Sequence, residues 1–270
     1  TIHNSARDKI SPDLIRINKP SRLTSEKNAI IGWNWRVTSI VKELDNYVPP
    51  GSELVIISDK KDGELIIKEE SDAFRNQTVR FIFGDTTDRR FLEKINPGQF
   101  DHIVILCYSD DLDPQKADAK TLVTLLHLRD IAEKSRFRFS IVSEMMDVRN
   151  RNLAEIARAD DFIISNKLIS QVISQISENK FLNQIFQELF SPVGWEIYLK
   201  PVSDYVLSGK EMNFYTVIEA GRQKNECVIG YRIMTYANDS SKGYGIKINP
   251  DKDKVLTFNE SDRLIVIGKE

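Results

Sequence analysis

Residues 28–47, NAIIGWNWRVTSIVKELDNY, are the stretch on which the fold turns. Ala29, Ile30 and Ile31 form a short apolar run suited to a buried parallel strand, and Gly32 breaks it. Val37, Ile40, Val41, Leu44 and Val48 then recur at helical spacing, with Arg36, Lys42, Glu43 and Asp45 off that face. Strand, glycine turn and amphipathic helix open a βαβ unit. The next strand, Leu54–Ile57, runs into Ser58 and Asp59, where a nucleotide-binding α/β domain places the acid that holds a ribose.

The turn departs from the dinucleotide pattern. G-x-G-x-x-G supplies a tight bend, close approach to phosphate and close helix–strand packing. Here the frame reads Gly32, Asn34 and Val37. Asn34 tolerates a left-handed bend, but its side chain, with Trp33 and Trp35, crowds a pyrophosphate. Two readings stay open: a doubly wound domain that binds a nucleotide, and one that keeps only the fold. Arg36 either reaches a phosphate or is a solvated helix residue.

Outward from this unit, apolar strands alternate with helices. Thr78–Phe83 is the third strand and runs into Gly84 and Asp85; a short helix follows, capped by Thr87 or Asp88. His102–Cys107 is the fourth strand, followed by an acidic loop and a strong helix, Ala117–Lys134. Phe139–Val142 is the fifth, ending in Ser143 and Glu144. A helix around Leu153, Ile156 and Ala157 leads to a sixth strand, Asp161–Ile164. Leu65, Ile66 and Ile67 are too few to assign. This rhythm over 28–165 predicts a mostly parallel sheet covered on both faces. Asp85 and Glu144 then stand at the carboxyl ends of strands, where α/β sheets bind ligands.

The rhythm changes at 166. Leu168, Ile169, Val172, Ile173 and Ile176 share one helical face, with Asn166 as cap. After a polar break, Phe181, Leu182, Ile185, Phe186, Leu189 and Phe190 resume at helical spacing. Two such helices in 166–190 predict an arm that packs on something, a second subunit being favoured over the chain's own core. Residues 191–270 read as a small α+β lobe, with Trp195 and Tyr198 in its core and a turn at Asn259–Arg263. Residues 1–27, polar and interrupted by Pro12 and Pro20, read as an approach segment.

The composition fits a globular protein: 270 residues, 41% hydrophobic, 29% charged, net charge −2. That balance and the lack of a basic stripe argue against nucleic acid as a partner. Cys107 and Cys227 lack metal-like spacing and read as free thiols. No apolar run approaches the ~18 residues that span a bilayer. The chain begins at Thr1 rather than Met, which is read as a portion of a longer polypeptide.

The segments IIGWNWRVTSIVKELDNYVPPGSELVIISD, GDTTDRRFLEKI, DAKTLVTLLHLRDIAEK and RNLAEIARADDFIISNKLISQVISQISENKFLNQIFQELFSPVGWEIYL together resemble the cytosolic part of CASTOR/POLLUX-type ion channels. Those are relatives of the RCK, or TrkA-N-like, regulatory domains. The resemblance spans nearly all of 28–270. It implies a Rossmann-like doubly wound lobe at 28–165, a helix-turn-helix crossover and dimerisation arm at 166–190, and a small C-terminal lobe at 191–270. It further implies a homo-oligomer, a dimer assembling to a tetrameric or octameric ring, beneath a membrane pore of the same polypeptide on the cytoplasmic side. Ligand binding in that ring gates a cation channel, potassium- or calcium-related. Carried onto this chain, the nucleotide positions are Gly32, Asn34, Arg36, Asp59 and Asp85, for NAD or another adenine nucleotide. Ca2+ ligands come from Asp85, Asp88 and Glu144, with Asp110, Asp111 and Asp113 as a second set.

Enzyme signals are missing. His3, His102 and His127 form no H-E-x-x-H pattern, and neither a G-x-S-x-G elbow nor a G-x-x-x-x-G-K-[ST] loop is present. The alternatives to a gating module are an NAD(P)-dependent oxidoreductase, for which no acid or base stands out in 190–270, and a ligand-free assembly scaffold.

Overall fold

A computed structural model describes residues 8–18, 24–70, 73–136, 139–150, 161–237 and 239–269. The helix expected around Leu153, Ile156 and Ala157 lies outside them. The chain forms two compact units, residues 23–180 and residues 1–22 with 181–270.

The first unit is the doubly wound one. Its strands β1 (Lys27–Ile31), β2 (Ser52–Ser58), β3 (Gln77–Phe83), β4 (His102–Ile105), β5 (Ser140–Met145) and β6 (Asp161–Ile164) form one parallel sheet. The order is β3-β2-β1-β4-β5-β6. Helices α1 (Val37–Tyr47), α2 (Gly63–Glu70), α3 (Arg89–Ile95) and α4 (Pro114–Ser135) connect them. β1 and β2 read as unbroken apolar runs because both of their faces are covered. Ile31 and Ile57 pack toward Leu92 of α3 and Leu125 and Leu128 of α4. Ile30 and Ile56 face the other way, toward Val37 and Val41 of α1 and Ile67 of α2. Burying one such side chain is worth about 1.5–3 kcal/mol.

Two details differ from the periodicity. The unassigned Leu65–Ile67 run is part of α2, where only Gly63 and Ile67 are buried. Asp45, off the apolar face of α1 by spacing, is itself buried. Its carboxylate accepts the amides of Arg75, Asn76 and Gln77 at 2.8, 3.0 and 3.0 Å. It therefore pins the start of β3 to α1.

The expected arm forms α5 (Ser165–Glu178), in the first unit, and α6 (Leu182–Leu189), in the second; neither has a buried residue. Ile164, not Asn166, is the N-cap of α5; Asn166 lies in the first turn and its side chain donates to the Met146 carbonyl at 3.3 Å.

The second unit is an antiparallel lobe. Strands β7 (Glu196–Pro201), β9 (Cys227–Arg232), β10 (Ile246–Ile248) and β12 (Arg263–Gly268) are ordered β10-β9-β12-β7. β8 (Glu211–Asn213) pairs with β11 (Val255–Thr257), and α7 (Phe214–Gln223) follows β8, capped by the Asn213 side chain. The core gathers Tyr205, Phe214, Tyr231 and Phe258, with Tyr198 packed against it. Trp195, expected in that core, is 40% exposed, with the Lys269 ammonium 5.3 Å from its ring. The turn at Asn259–Arg263 closes around Asp262, whose carboxylate takes the amides of Asn259 and Met234, each at 2.8 Å.

Part of the approach segment is built into this lobe. Arg16 N–H donates to the Tyr205 carbonyl at 2.8 Å, Leu207 N–H donates to Leu14 at 2.9 Å, and Ile15 forms an antiparallel bridge with Val206.

Candidate functional site

Strand order reverses between β1 and β4, so the crevice that takes ligands in such sheets lies beyond their carboxyl ends. Two bonds close the base of the turn there. Gly32 N–H donates to Ile57 at 2.9 Å, and Leu106 N–H donates to Ile31 at 2.8 Å. Gly32 has φ 104°, and a Cβ on it would stand 2.2 Å from the Leu106 carbonyl oxygen. The first glycine of the pattern is thus required by backbone conformation and by close approach.

The bend needs no second left-handed residue. Asn34 is absent from the positive-φ positions and acts through its side chain instead. Fully buried, it donates from Nδ2 to the Cys107 carbonyl and to Glu144 Oε2, each at 2.9 Å. Its Oδ1 accepts the Arg36 amide at 3.0 Å. A backbone amide at the helix entry, of the kind that would hold a phosphate, is therefore taken by the turn itself. Trp33 is turned into the core, edge-on to Phe81 at 6.0 Å, whereas Trp35 is 69% exposed. Arg36 is not free in solvent: its guanidinium pairs with Glu144.

Asp59 follows β2 as expected and lines a cleft of about 360 Å³ with Lys60, Lys61, Tyr108, Leu112 and Lys120. Lys120 Nζ lies 2.6 Å from Asp59 Oδ2 and 3.6 Å from the centroid of the Tyr108 ring. The Tyr108 hydroxyl meets Thr86 Oγ1 at 3.2 Å, and burial raises its pKa above the usual tyrosine value. The acid that would hold a ribose already has a cationic partner.

The carboxylates proposed for calcium are engaged separately. Asp85 accepts the Thr87 hydroxyl at 2.7 Å and the Thr87 amide at 2.8 Å, and these bonds lower its pKa. Asp88 caps α3 through the Arg90 amide at 2.9 Å. Glu144 receives Asn34, Arg36, Ser165 and the Cys107 amide. Of the acidic loop, Asp110 accepts from the Ser109 hydroxyl and Asp113 caps α4, while Asp111 lines the cleft. Among the described residues no three His, Cys, Asp or Glu side chains converge as a metal site.

Lys120, Tyr108 and Ser165 complete the site and are not evident from sequence. The sheet brings each to the crevice from a separate segment. Only the position of Tyr108 and Lys120, just beyond β4 and about two turns into α4, hints at it.

A parallel sheet wound in this order, with a glycine turn at its switch point and an acid after β2, defines a Rossmann-type lobe whose phosphate turn is filled by its own side chain. The chain belongs to the TrkA-N domain family, which its residues 29–165 match. It is 29% identical over 288 residues to the probable ion channel SYM8 of Pisum sativum, covering 94% of this chain and 31% of that protein. It is 30% identical over 280 residues to the probable ion channel CASTOR of Oryza sativa subsp. japonica, covering 91% and 31%. The chain thus spans about a third of the length of these curated relatives. In fold it is similar to the human SLO3 gating ring, with a TM-score of 0.58 at 16% identity over 91% of this chain and 44% of that one. Among the described residues no helix is long and apolar enough to cross a membrane.

Proposed function

We propose that this chain is the ligand-sensing gating module of a cation channel, acting on the cytoplasmic side of a membrane by rearrangement of an oligomeric ring. The relatives named as ion channels support the class. The observation that carries the assembly is the apolar face of α5, where Leu168, Ile169 and Ile173 are 50%, 51% and 61% exposed. A face of that width is an interface by chemistry, and a second copy of the chain is its partner. The cleft beside Asp59 is the sensor. A nucleotide there binds through its base and ribose end, taking Asp59 from Lys120, with Gly32, Asn34, Arg36 and Asp85 around its phosphates. Ca2+ is the other candidate ligand, at Asp85, Asp88 or Glu144. Either ligand shifts the ring only by its difference in affinity between two arrangements.

Light scattering on the chain tests assembly: a dimer or larger is expected, and a strict monomer at high concentration overturns it. Calorimetry with NAD, ATP and calcium tests the sensor. Turnover of NADH with hydride transfer would replace the whole reading by an oxidoreductase.

A second reading, an assembly scaffold without a ligand, is favoured by the Asn34 side chain standing in the phosphate turn. Absence of a thermal shift with every nucleotide and cation tried selects it.

A further inference from the structure

We propose that Glu144 is a mechanical link between the turn after β1 and the root of helix α5, so that loosening at either end is felt at the other. Glu144 lies in β5, near its carboxyl end, and is buried. Its Oε2 accepts Asn34 Nδ2 at 2.9 Å and the Cys107 amide at 3.2 Å. Its Oε1 takes the Arg36 guanidinium and the Ser165 hydroxyl. Ser165 is the first residue of α5. One carboxylate therefore joins the turn after β1, the segment after β4, β5 itself and the arm.

The charge balance makes the link responsive. In this pocket Arg36 supplies the compensating cation, and a buried carboxylate that loses its counter-charge is strongly disfavoured. Arg36 is also the N-cap of α1, so movement of that turn draws its guanidinium from Glu144. When it is drawn away, Glu144 keeps only the neutral donors Asn34, Cys107 and Ser165, and the balance at the start of α5 changes with it. A two-position element biased from both ends is what coupling between sites requires.

The inference deepens the gating reading, but its test uses neither channel nor ligand, so either can fail without the other. Amide hydrogen exchange is followed by mass spectrometry on the whole chain. Amides 169–172 have partners within the first turns of α5, and the Arg36, Val37 and Cys107 amides report the turn. Arg36→Gln is expected to speed exchange about tenfold at the turn and also at 169–172. Ser165→Ala, made at the other end, is expected to speed exchange at Arg36, Val37 and Cys107, because coupling is reciprocal. The variant Asp45→Asn, which loosens α1 away from Glu144, serves as control and is expected to spare 169–172. The proposal is overturned if Arg36→Gln acts only on 33–37, if Ser165→Ala acts only on α5, or if the control reproduces either pattern.

Discussion

The side-chain oxygen of Asn34 accepts the backbone amide of Arg36 at 3.0 Å, while its amide group reaches the Cys107 carbonyl and Glu144. Asn34 is thus both the plug of the phosphate turn and a tie between β1 and the segments after β4 and in β5. Asn34→Ala removes a buried donor and acceptor and leaves a carbonyl and a carboxylate oxygen short of a partner. Stability is expected to fall by about 2–4 kcal/mol. Urea unfolding measures it, and a loss under ~0.5 kcal/mol would mean the tie is dispensable.

Gly32 and Gly209 offer a paired comparison. Both have positive φ, 104° and 74°, but only at Gly32 does an added Cβ meet backbone, the Leu106 carbonyl oxygen at 2.2 Å; at Gly209 nothing lies within 4 Å. Gly209→Ala should cost about 1–2 kcal/mol, the ordinary penalty of a left-handed residue. Gly32→Ala must also push β1 from the segment after β4, and a loss above about 4 kcal/mol, or no folded protein, is expected. Equal losses in thermal melts would show that the close approach is relieved by a small shift.

Asp45 is buried in α1 and collects three consecutive amides, those of Arg75, Asn76 and Gln77. Asp45→Ala leaves donors unpaired at the start of β3, an edge strand of the sheet. A loss of about 2–4 kcal/mol is expected. Because the damage is local to the edge, exchange of β3 amides should rise before those of β1 and β4. Simultaneous rise in all three strands would place β3 inside the cooperative centre instead.

The doubly wound unit was legible because β1 and β2 are buried on both faces and leave continuous apolar runs, while α1 and α4 keep one apolar stripe each. What escaped detection has long-range causes. α2 is short and buries little, so Leu65–Ile67 carries no periodic signal. The Ile15–Val206 bridge joins residues about 190 apart in the chain, and β8 and β11 are three-residue strands fixed by their mutual pairing. Of the candidate site, Gly32 and Asp59 are local features of strand ends and are legible by position. The roles of Asn34, Arg36 and Lys120 depend on Glu144, Cys107, Asp59 and Tyr108, which the sheet brings in from other segments. Asn34 was expected to supply a bend and supplies a side-chain network; Trp195 was expected inside and lies at the surface, where one indole face meets Lys269.

Cys107 and Cys227 divide cleanly by environment. Cys107 is buried after β4, its Sγ 3.6 Å from Asp118 Oδ1, and Cys227 is exposed at the start of β9. Burial first, and the nearby Asp118 charge second, push the Cys107 thiol up from 9.0 to about 12. A folded-state pKa above the unfolded value means that the folded chain keeps a proton the unfolded chain gives up. The stability this contributes is full below the unfolded thiol value and is lost as pH rises through about 12. Two outcomes follow. At pH 8 a thiol reagent should titrate Cys227 quickly and Cys107 only after urea is added. Between pH 8 and pH 10.5 the wild-type chain should lose more stability than Cys107→Ala, in which the burial of Tyr108 still acts but the thiol does not. Rapid reaction of both thiols in the native chain would mean that the end of β4, and with it the Asn34 tie, opens on the timescale of the reagent.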